Sequence, residues 1–169
     1  MPKYVINYSI GTVFCVPLKN GKYARGVVAR SDGELGIFGY FFGPCLDSVP
    51  AALDESQLCI DEAVFAGIFS GMGLSNGEWQ QLGTIKSFQR KEWPMPLLIN
   101  TEDESDRVEL VEYDEDTLEE KSVSVSTRSE VDIDAYPEDG LMGYKYVEDV
   151  LTMKLDPSFQ SPDQTEADT

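Results

Sequence analysis

Histidine is absent from this chain of 169 residues. Its absence excludes Ser-His-Asp triads, Cys–His pairs and the side chain that most often ligates transition metals. Cysteine is scarce: Cys15, Cys45 and Cys59 make an odd three, with no C-x-x-C spacing. That pattern fits reduced, buried thiols in a cytoplasmic protein, not a disulfide framework or a zinc site. Cys15 falls inside a predicted strand and Cys59 beside one, and a buried thiol is inert core rather than a nucleophile. No apolar run approaches the ~18 residues of a membrane span. The opening MPKYVINYSIG lacks the long apolar stretch and small-residue cleavage site of a secretory signal.

Positive charge is also in short supply, and unevenly so. The chain holds 13 Lys and Arg against 31 Asp and Glu, a net charge of −18. Residues 1–98 carry a net of only −1, whereas residues 99–169 carry −17. Nucleic acid and anionic membrane would be repelled by such a chain, so neither is expected as a direct partner. A basic partner is favoured; the plainer alternative is an acidic surface that serves solubility alone.

Apolar content is ordinary at 41%. A chain of this length buries roughly 70% of its unfolded surface, enough for a core without staples. One domain over residues 1–155 is expected, with an acidic break near 100–106 and a polar, proline-bearing, disordered tail over 156–169.

The rest of the chain is organised around Gly11 to Arg30, which reads as two strands folded back at Asn20-Gly21. Asn-Gly tolerates the positive φ that a two-residue type I′ turn demands. Val13, Cys15 and Pro17 share one face of the first arm, and Thr12, Phe14, Val16 and Leu18 the other. Few of these are polar, so both faces should be covered. Pro17 belongs at an edge or bulge, and Gly26 marks a bulge or a close backbone approach.

Residues 5–10 suggest a short leading strand. Leu35 to Phe42 is an aromatic strand that its glycines allow to bend, closed by Gly43-Pro44. Residues 50–57 suit one or two helical turns. Ala63 to Phe69 suits a buried strand, Gly71 to Gly77 a glycine-rich loop, and Trp79 to Ile85 a short strand. Trp93-Pro94-Met95-Pro96 forces an extended path into Leu97-Leu98-Ile99. Arg107 to Tyr113 and Ser122 to Thr127 alternate as a solvated hairpin around Asp114-Glu115-Asp116. From Tyr144 to Leu155, Val147, Val150, Leu151 and Leu155 recur at helical spacing, and Asp156-Pro157 stops the helix.

The motifs that would carry chemistry are incomplete. Gly71, Gly73 and Gly77 lack the Lys-Ser/Thr of a phosphate loop. Asp114-Glu115-Asp116 and Asp132-x-Asp134 lack the glycine and distal glutamate of an EF-hand loop, leaving at most a weak surface cation site. No catalytic residue, metal or cofactor is therefore assigned. A carboxylate-based hydrolase stays open, since sequence does not measure how far apart two acids lie. Trp79, Trp93, Phe38, Tyr40, Phe41 and Phe42 suit either a core or a sugar- or peptide-binding groove.

Three blocks carry a resemblance. Gly11-x-Val13-Phe14-x-x-Pro17-Leu18 with Asn20-Gly21-Lys22-Tyr23-x-x-Gly26-x-Val28 is the first. Leu74-Ser75-Asn76-Gly77-Glu78-Trp79-x-x-Leu82-Gly83 is the second, and Gly140-Leu141-x-Gly143-x-x-x-Val147-Glu148-x-x-Leu151 the third. In order and spacing they resemble the immunity protein 26 family of bacterial polymorphic toxin systems. The resemblance implies a small cytoplasmic α+β protein that neutralises a cognate toxin by binding it, with motif positions that are structural rather than catalytic. The acid-rich stretch over 102–139 is particular to this chain.

The reading reached is a β-rich α+β fold: a strongly bent antiparallel sheet or open barrel with one C-terminal helix. Its expected function is inhibition by binding a basic toxin domain, a nuclease being the toxin whose cationic cleft an acidic inhibitor would fill. The contact is expected to draw on Glu102, Asp103, Glu104, Asp106, Asp114, Glu115, Asp116, Glu119 and Glu120, gathered around one hairpin. The alternatives are a carbohydrate- or peptide-binding module and a carboxylate hydrolase.

Overall fold

The computed structural model describes residues 5–159. In chain order its strands are β1 (Thr12–Pro17), β2 (Tyr23–Ser31), β3 (Gly36–Leu46), β4 (Ala63–Ser70), β5 (Gln81–Thr84), β6 (Leu98–Thr101), β7 (Arg107–Tyr113), β8 (Glu120–Thr127) and β9 (Leu141–Met142). Its helices are α1 (Met72–Ser75) and α2 (Tyr144–Leu155). Six strands form one sheet in the order β5-β1-β2-β3-β4-β9, and β6-β7-β8 form a second. All neighbours are antiparallel except β4 and β9, which run parallel. Register shifts in the β1–β5, β2–β3 and β3–β4 pairings bend the larger sheet. It stays open, with β5 and β9 as its ends, so the fold is α+β and β-rich as the pattern predicts.

The β1–β2 hairpin forms where expected, in register Val13↔Val27 through Pro17↔Tyr23. Its turn differs in type. Gly21 has φ +85°, but Asn20 is not among the residues with positive φ. Gly21 N–H donates to the Leu18 carbonyl, Leu18 N–H to the Lys22 carbonyl, and Lys22 N–H to the Asn20 side chain. This is a three-residue loop, a type I turn followed by a left-handed glycine, and not a type I′ pair. Pro17 ends β1, beyond the stretch that pairs with β5, so its missing N–H interrupts no ladder. Gly26 marks a close approach rather than a bulge: it faces Phe14 across the pair, and a Cβ there would overlap the Phe14 ring.

Both faces of this sheet are covered, because β1 to β3 carry apolar residues at odd and even positions alike. One face gathers Phe14, Val16, Val28, Phe41, Phe69 and Trp79 beneath Val147 and Leu151 of α2. The other gathers Val13, Val27, Phe38, Phe42 and Ile68 against Leu58, Trp93 and Leu98, the last from the second sheet. Helix, large sheet, and small sheet with long loops thus stack as three layers.

Several local expectations fail. Residues 5–10 form no strand, although Tyr8 packs in the core. β3 runs through the cis Gly43–Pro44 bond to Leu46 instead of closing there. Residues 50–57 are not helical: Asp54 turns its carboxylate onto the Ser56 N–H, and Gln57 takes φ +65°, a local bond that competes with a helix. Within Gly71 to Gly77 the chain makes the single turn α1 instead of a plain loop. Of the expected tail, Asp156 to Phe159 makes a turn on the Asp156 carbonyl, and residues 160–169 lie outside the described residues.

Candidate functional site

The three sequence blocks converge on one buried cluster. Phe14 of β1 stacks on Trp79, with ring centroids 5.5 Å apart and planes 12° from parallel. Phe69 and Tyr144 pack on other sides of the same indole. Trp79 Nε1 donates to Glu148 Oε2 at 2.9 Å, and Lys19 Nζ donates to Glu148 Oε1 at 3.1 Å. Lys145 approaches the same oxygen at 3.7 Å. Lys19 N–H donates to Thr152 Oγ1, and the Asn20 amide donates to Asp156. The hairpin loop is therefore bolted along α2. Glu148 is the one buried carboxylate among the described residues, and both its oxygens are occupied by donors. With both oxygens so engaged, Glu148 ties the hairpin loop and Trp79 to α2.

The aromatic-groove alternative loses most of its residues, although Tyr40 still lines a cleft between β4 and α2. Trp79, Trp93, Phe38, Tyr40, Phe41 and Phe42 are all buried. Tyr40 donates its hydroxyl to the Pro94 carbonyl, and burial, opposed only in part by Arg30, pushes its pKa up to about 12. The thiols are not uniformly buried either: Cys15 is buried, Cys45 half-buried and Cys59 exposed. Cys59 lies just before a short 3-10 turn at Ile60–Glu62, outside the core, and β4 begins four residues after it.

The nine acids expected at the interface fall into two groups. Glu102, Asp103, Glu104 and Asp106 precede β7, whereas Asp114, Glu115, Asp116, Glu119 and Glu120 surround the turn at its far end. The seven residues of β7 separate them by about 20 Å. Each group presents its own field, and beyond a Debye length of about 8 Å the two are screened from one another.

Three acids of the turn already have partners. Asp114 Oδ1 accepts the Asp116 and Thr117 N–H groups at 2.9 Å each, which holds its carboxyl below the usual aspartate range. Glu115 reaches inward to the buried Arg30. Asp116 pairs with Arg90 at 3.1 Å on the surface. In the other group Asp106 accepts the Arg128 N–H, while the Arg128 guanidinium binds the Ser105 and Glu102 carbonyls. Glu102, Asp103, Glu104, Glu119 and Glu120 keep exposed side chains. Asp132 spends its carboxylate on the Asp134 N–H, as Asp114 does on its own turn.

A cleft of about 490 Å³ opens beside the acidic turn, lined by Arg90, Met95, Glu112, Tyr113, Asp116 and Lys121 among others. Tyr113 is anchored there by donating to Asp139; burial first, then that bond, raises its pKa. A second cleft of about 520 Å³ lies between α2, β4 and residues 133–138. Sequence reasoning did not find it, because its walls come from segments some 80 positions apart whose exposed apolar residues look ordinary one at a time.

No helix among the described residues is long and apolar enough to cross a membrane. The family model described as immunity protein 26 matches residues 9–105, more than half of the chain. No curated protein and no solved structure matches it.

Proposed function

The chain belongs to the immunity protein 26 family, and on that premise we propose that it is a cytoplasmic inhibitor of a bacterial polymorphic toxin system, acting by binding and without chemistry of its own. Residues 1–155 serve as the immunity domain. Membership implies a cognate toxin as partner. The observation that carries the reading further is the charge: a net of −17 over residues 99–169, in the part of the chain that lies largely beyond the matched stretch. A family scaffold with an acidic half suits a basic toxin. A nuclease is the toxin class favoured, because a cleft built for phosphates is cationic and an acidic surface can occupy it.

Of the nine acids, Glu102, Asp103, Glu104, Glu119 and Glu120 are free to meet such a partner. Asp106, Asp114, Glu115 and Asp116 shape the loops that present them. Neutralising Asp114, Glu115 and Asp116 together would strip Arg30 of its carboxylate, so lost binding would report misfolding as readily as lost contact. The cleaner test changes Glu119 and Glu120 to Gln in one variant, and Glu102, Asp103 and Glu104 to Gln, Asn and Gln in another. The gene immediately upstream is expected to encode a large secreted protein with a variable C-terminal domain, and that domain is titrated at several salt concentrations; a neighbour of any other kind counts against the reading. Slower association and a flatter salt dependence are expected for at least one variant. Unchanged affinity and salt dependence in both would remove the acidic loops from the interface, and a wild-type chain that neither binds nor protects would defeat the reading.

A further inference from the structure

Of the eight large apolar side chains exposed among the described residues, Ile60, Val64 and Tyr146 line one cleft, and Leu141 lines the hollow that adjoins it at Tyr146. The helix explains why. Val147, Leu151 and Leu155 turn one stripe of α2 onto the aromatic cluster. Tyr146, Val150 and Met153, at i, i+4 and i+7, form a second stripe beside it. Tyr146 and Met153 are 53% and 61% exposed. A helix that needed only to cover the sheet would carry polar residues at those positions. Instead Tyr146 and Val150 wall the cleft of about 520 Å³ whose other side is Ile60, Val64 and Phe65.

The surroundings of this groove are acidic. Asp134 and Glu138 line it, and Asp61 and Glu62 follow Ile60. Lys154 is the one base lining it, and its ammonium lies over the Phe65 ring, 5.6 Å from the centroid. The groove also continues toward the acidic turn. Tyr146 lines both it and a neighbouring hollow; Leu141 lines that hollow and the next; Tyr113 lines that one and the cleft beside Asp114.

We propose that this groove is the anchor of the toxin interface: it receives an apolar side chain of the toxin flanked by Lys or Arg, while the acidic loops steer the approach. The assignment rests on the immunity reading above. Charge selects the occupant. A second copy would bring another net −18 against the same acids. Residues 160–169 of the chain itself carry three acids and no base. Only a basic partner gains from both the apolar walls and the rim. The two parts differ in kinetic signature, since buried apolar anchors set the dissociation rate and exposed charges the association rate and salt dependence.

The experiment measures binding of the full chain to the C-terminal domain of the secreted protein expected from the upstream gene, for wild type, Tyr146→Ser, Val64→Ser and Tyr146→Phe. Thermal melting serves as the check on folding. Both serine variants should melt like wild type, bind about 10- to 30-fold more weakly through faster dissociation, and keep the wild-type salt dependence, while Tyr146→Phe binds like wild type. Affinities within about twofold of wild type for both serine variants would overturn the groove and leave the immunity reading standing. A wild-type chain that does not bind would fell both. Concentration-dependent dimerisation abolished by Tyr146→Ser would make the face a self-interface, and nuclear Overhauser contacts from residues 160–169 to Tyr146 in the free chain would seat the tail there; either result overturns the assignment.

Discussion

Arg30 lies buried under the acidic turn, and its Nη2 and Nε both donate to one carboxylate oxygen of Glu115, at 2.7 and 3.0 Å. The Arg30 side chain is 2% exposed and that of Glu115 51%. Arg30 Nη1 donates to the Ala29 carbonyl, and Nη2 also to the Arg90 carbonyl. A residue in the middle of the large sheet is thus neutralised by an acid from the second sheet's hairpin, 85 positions away.

Removing that acid should be felt as a loss of stability. Glu115→Ala leaves a buried guanidinium without its counter-charge, and about 2–3 kcal/mol is expected, toward the low end for broken buried pairs because Glu115 itself is half in water. Asp116→Asn breaks only the surface pair with Arg90 and should cost less than about 1 kcal/mol. Urea unfolding of the two variants makes the comparison, and equal losses would show that burial of Arg30 does not set the difference.

Around Trp79 the expectation is graded. Trp79→Phe keeps an aromatic ring against Phe14 but loses the hydrogen bond to Glu148, at about 1.5–3 kcal/mol for a bond to a charged acceptor. Gly26→Ala pushes a methyl group into the Phe14 ring and should cost about 1–3 kcal/mol by overpacking. Chemical denaturation of both is the check. A Gly26→Ala chain as stable as wild type would mean that the ring moves aside freely.

The three thiols should separate cleanly on alkylation. Cys59 is exposed and Cys45 half-buried, whereas burial, outweighing nearby Arg25, pushes the Cys15 thiol up to about 11. Because the thiolate is the reactive form, Cys59 is expected to label first at pH 8. Cys15 should label only after unfolding. Mass spectrometry of a time course reads the order directly.

Two aspartates make stability fall in acid. The Asn20 amide, then the Ser158 hydroxyl, hold Asp156 below the usual 3.8, and the Thr117 and Asp116 N–H groups do the same for Asp114. The unfolded chain therefore takes up these protons at higher pH than the folded one. Their contribution is complete above about pH 5, a unit beyond the unfolded aspartate value, and is lost as pH drops through the folded values. Carboxyl NMR should place both midpoints below 3.8. In Asn20→Ala the Asp156 midpoint should rise while that of Asp114 stays put.

Local signals in the sequence carried the fold far. The apolar spacing of Tyr144 to Leu155 gives α2 residue for residue, and the alternation of Arg107 to Tyr113 gives β7 likewise. The two-sided apolar character of β1 foretold a sheet covered on both faces. Where a side chain bonds its own backbone, as Asp54 does, composition misled, and residues 50–57 lack the helix they suggest. Asn20-Gly21 marked a turn correctly, but the choice between two- and three-residue loops depends on strand register. The acids were legible as charge and not as geometry. Nothing near Glu115 announces Arg30, and sequence adjacency hides the length of β7 that parts the two groups. The apolar groove was illegible for the same reason, being assembled only when β4, β9 and α2 meet.

The way α2 is secured has a consequence for how the chain is made. Lys19 and Thr152 are 133 positions apart, yet their bond joins the hairpin loop to the helix. Until the ribosome has released the last turn of α2, Phe14, Phe41, Phe69 and Trp79 form an aromatic face with nothing over it. Contacts of such sequence separation form late, and uncovered apolar surface invites aggregation and quality control in the interval. A product truncated after β8 would thus be cleared by the cell instead of persisting as a weakened copy. The helix is therefore the cover without which the aromatic face stays open to water.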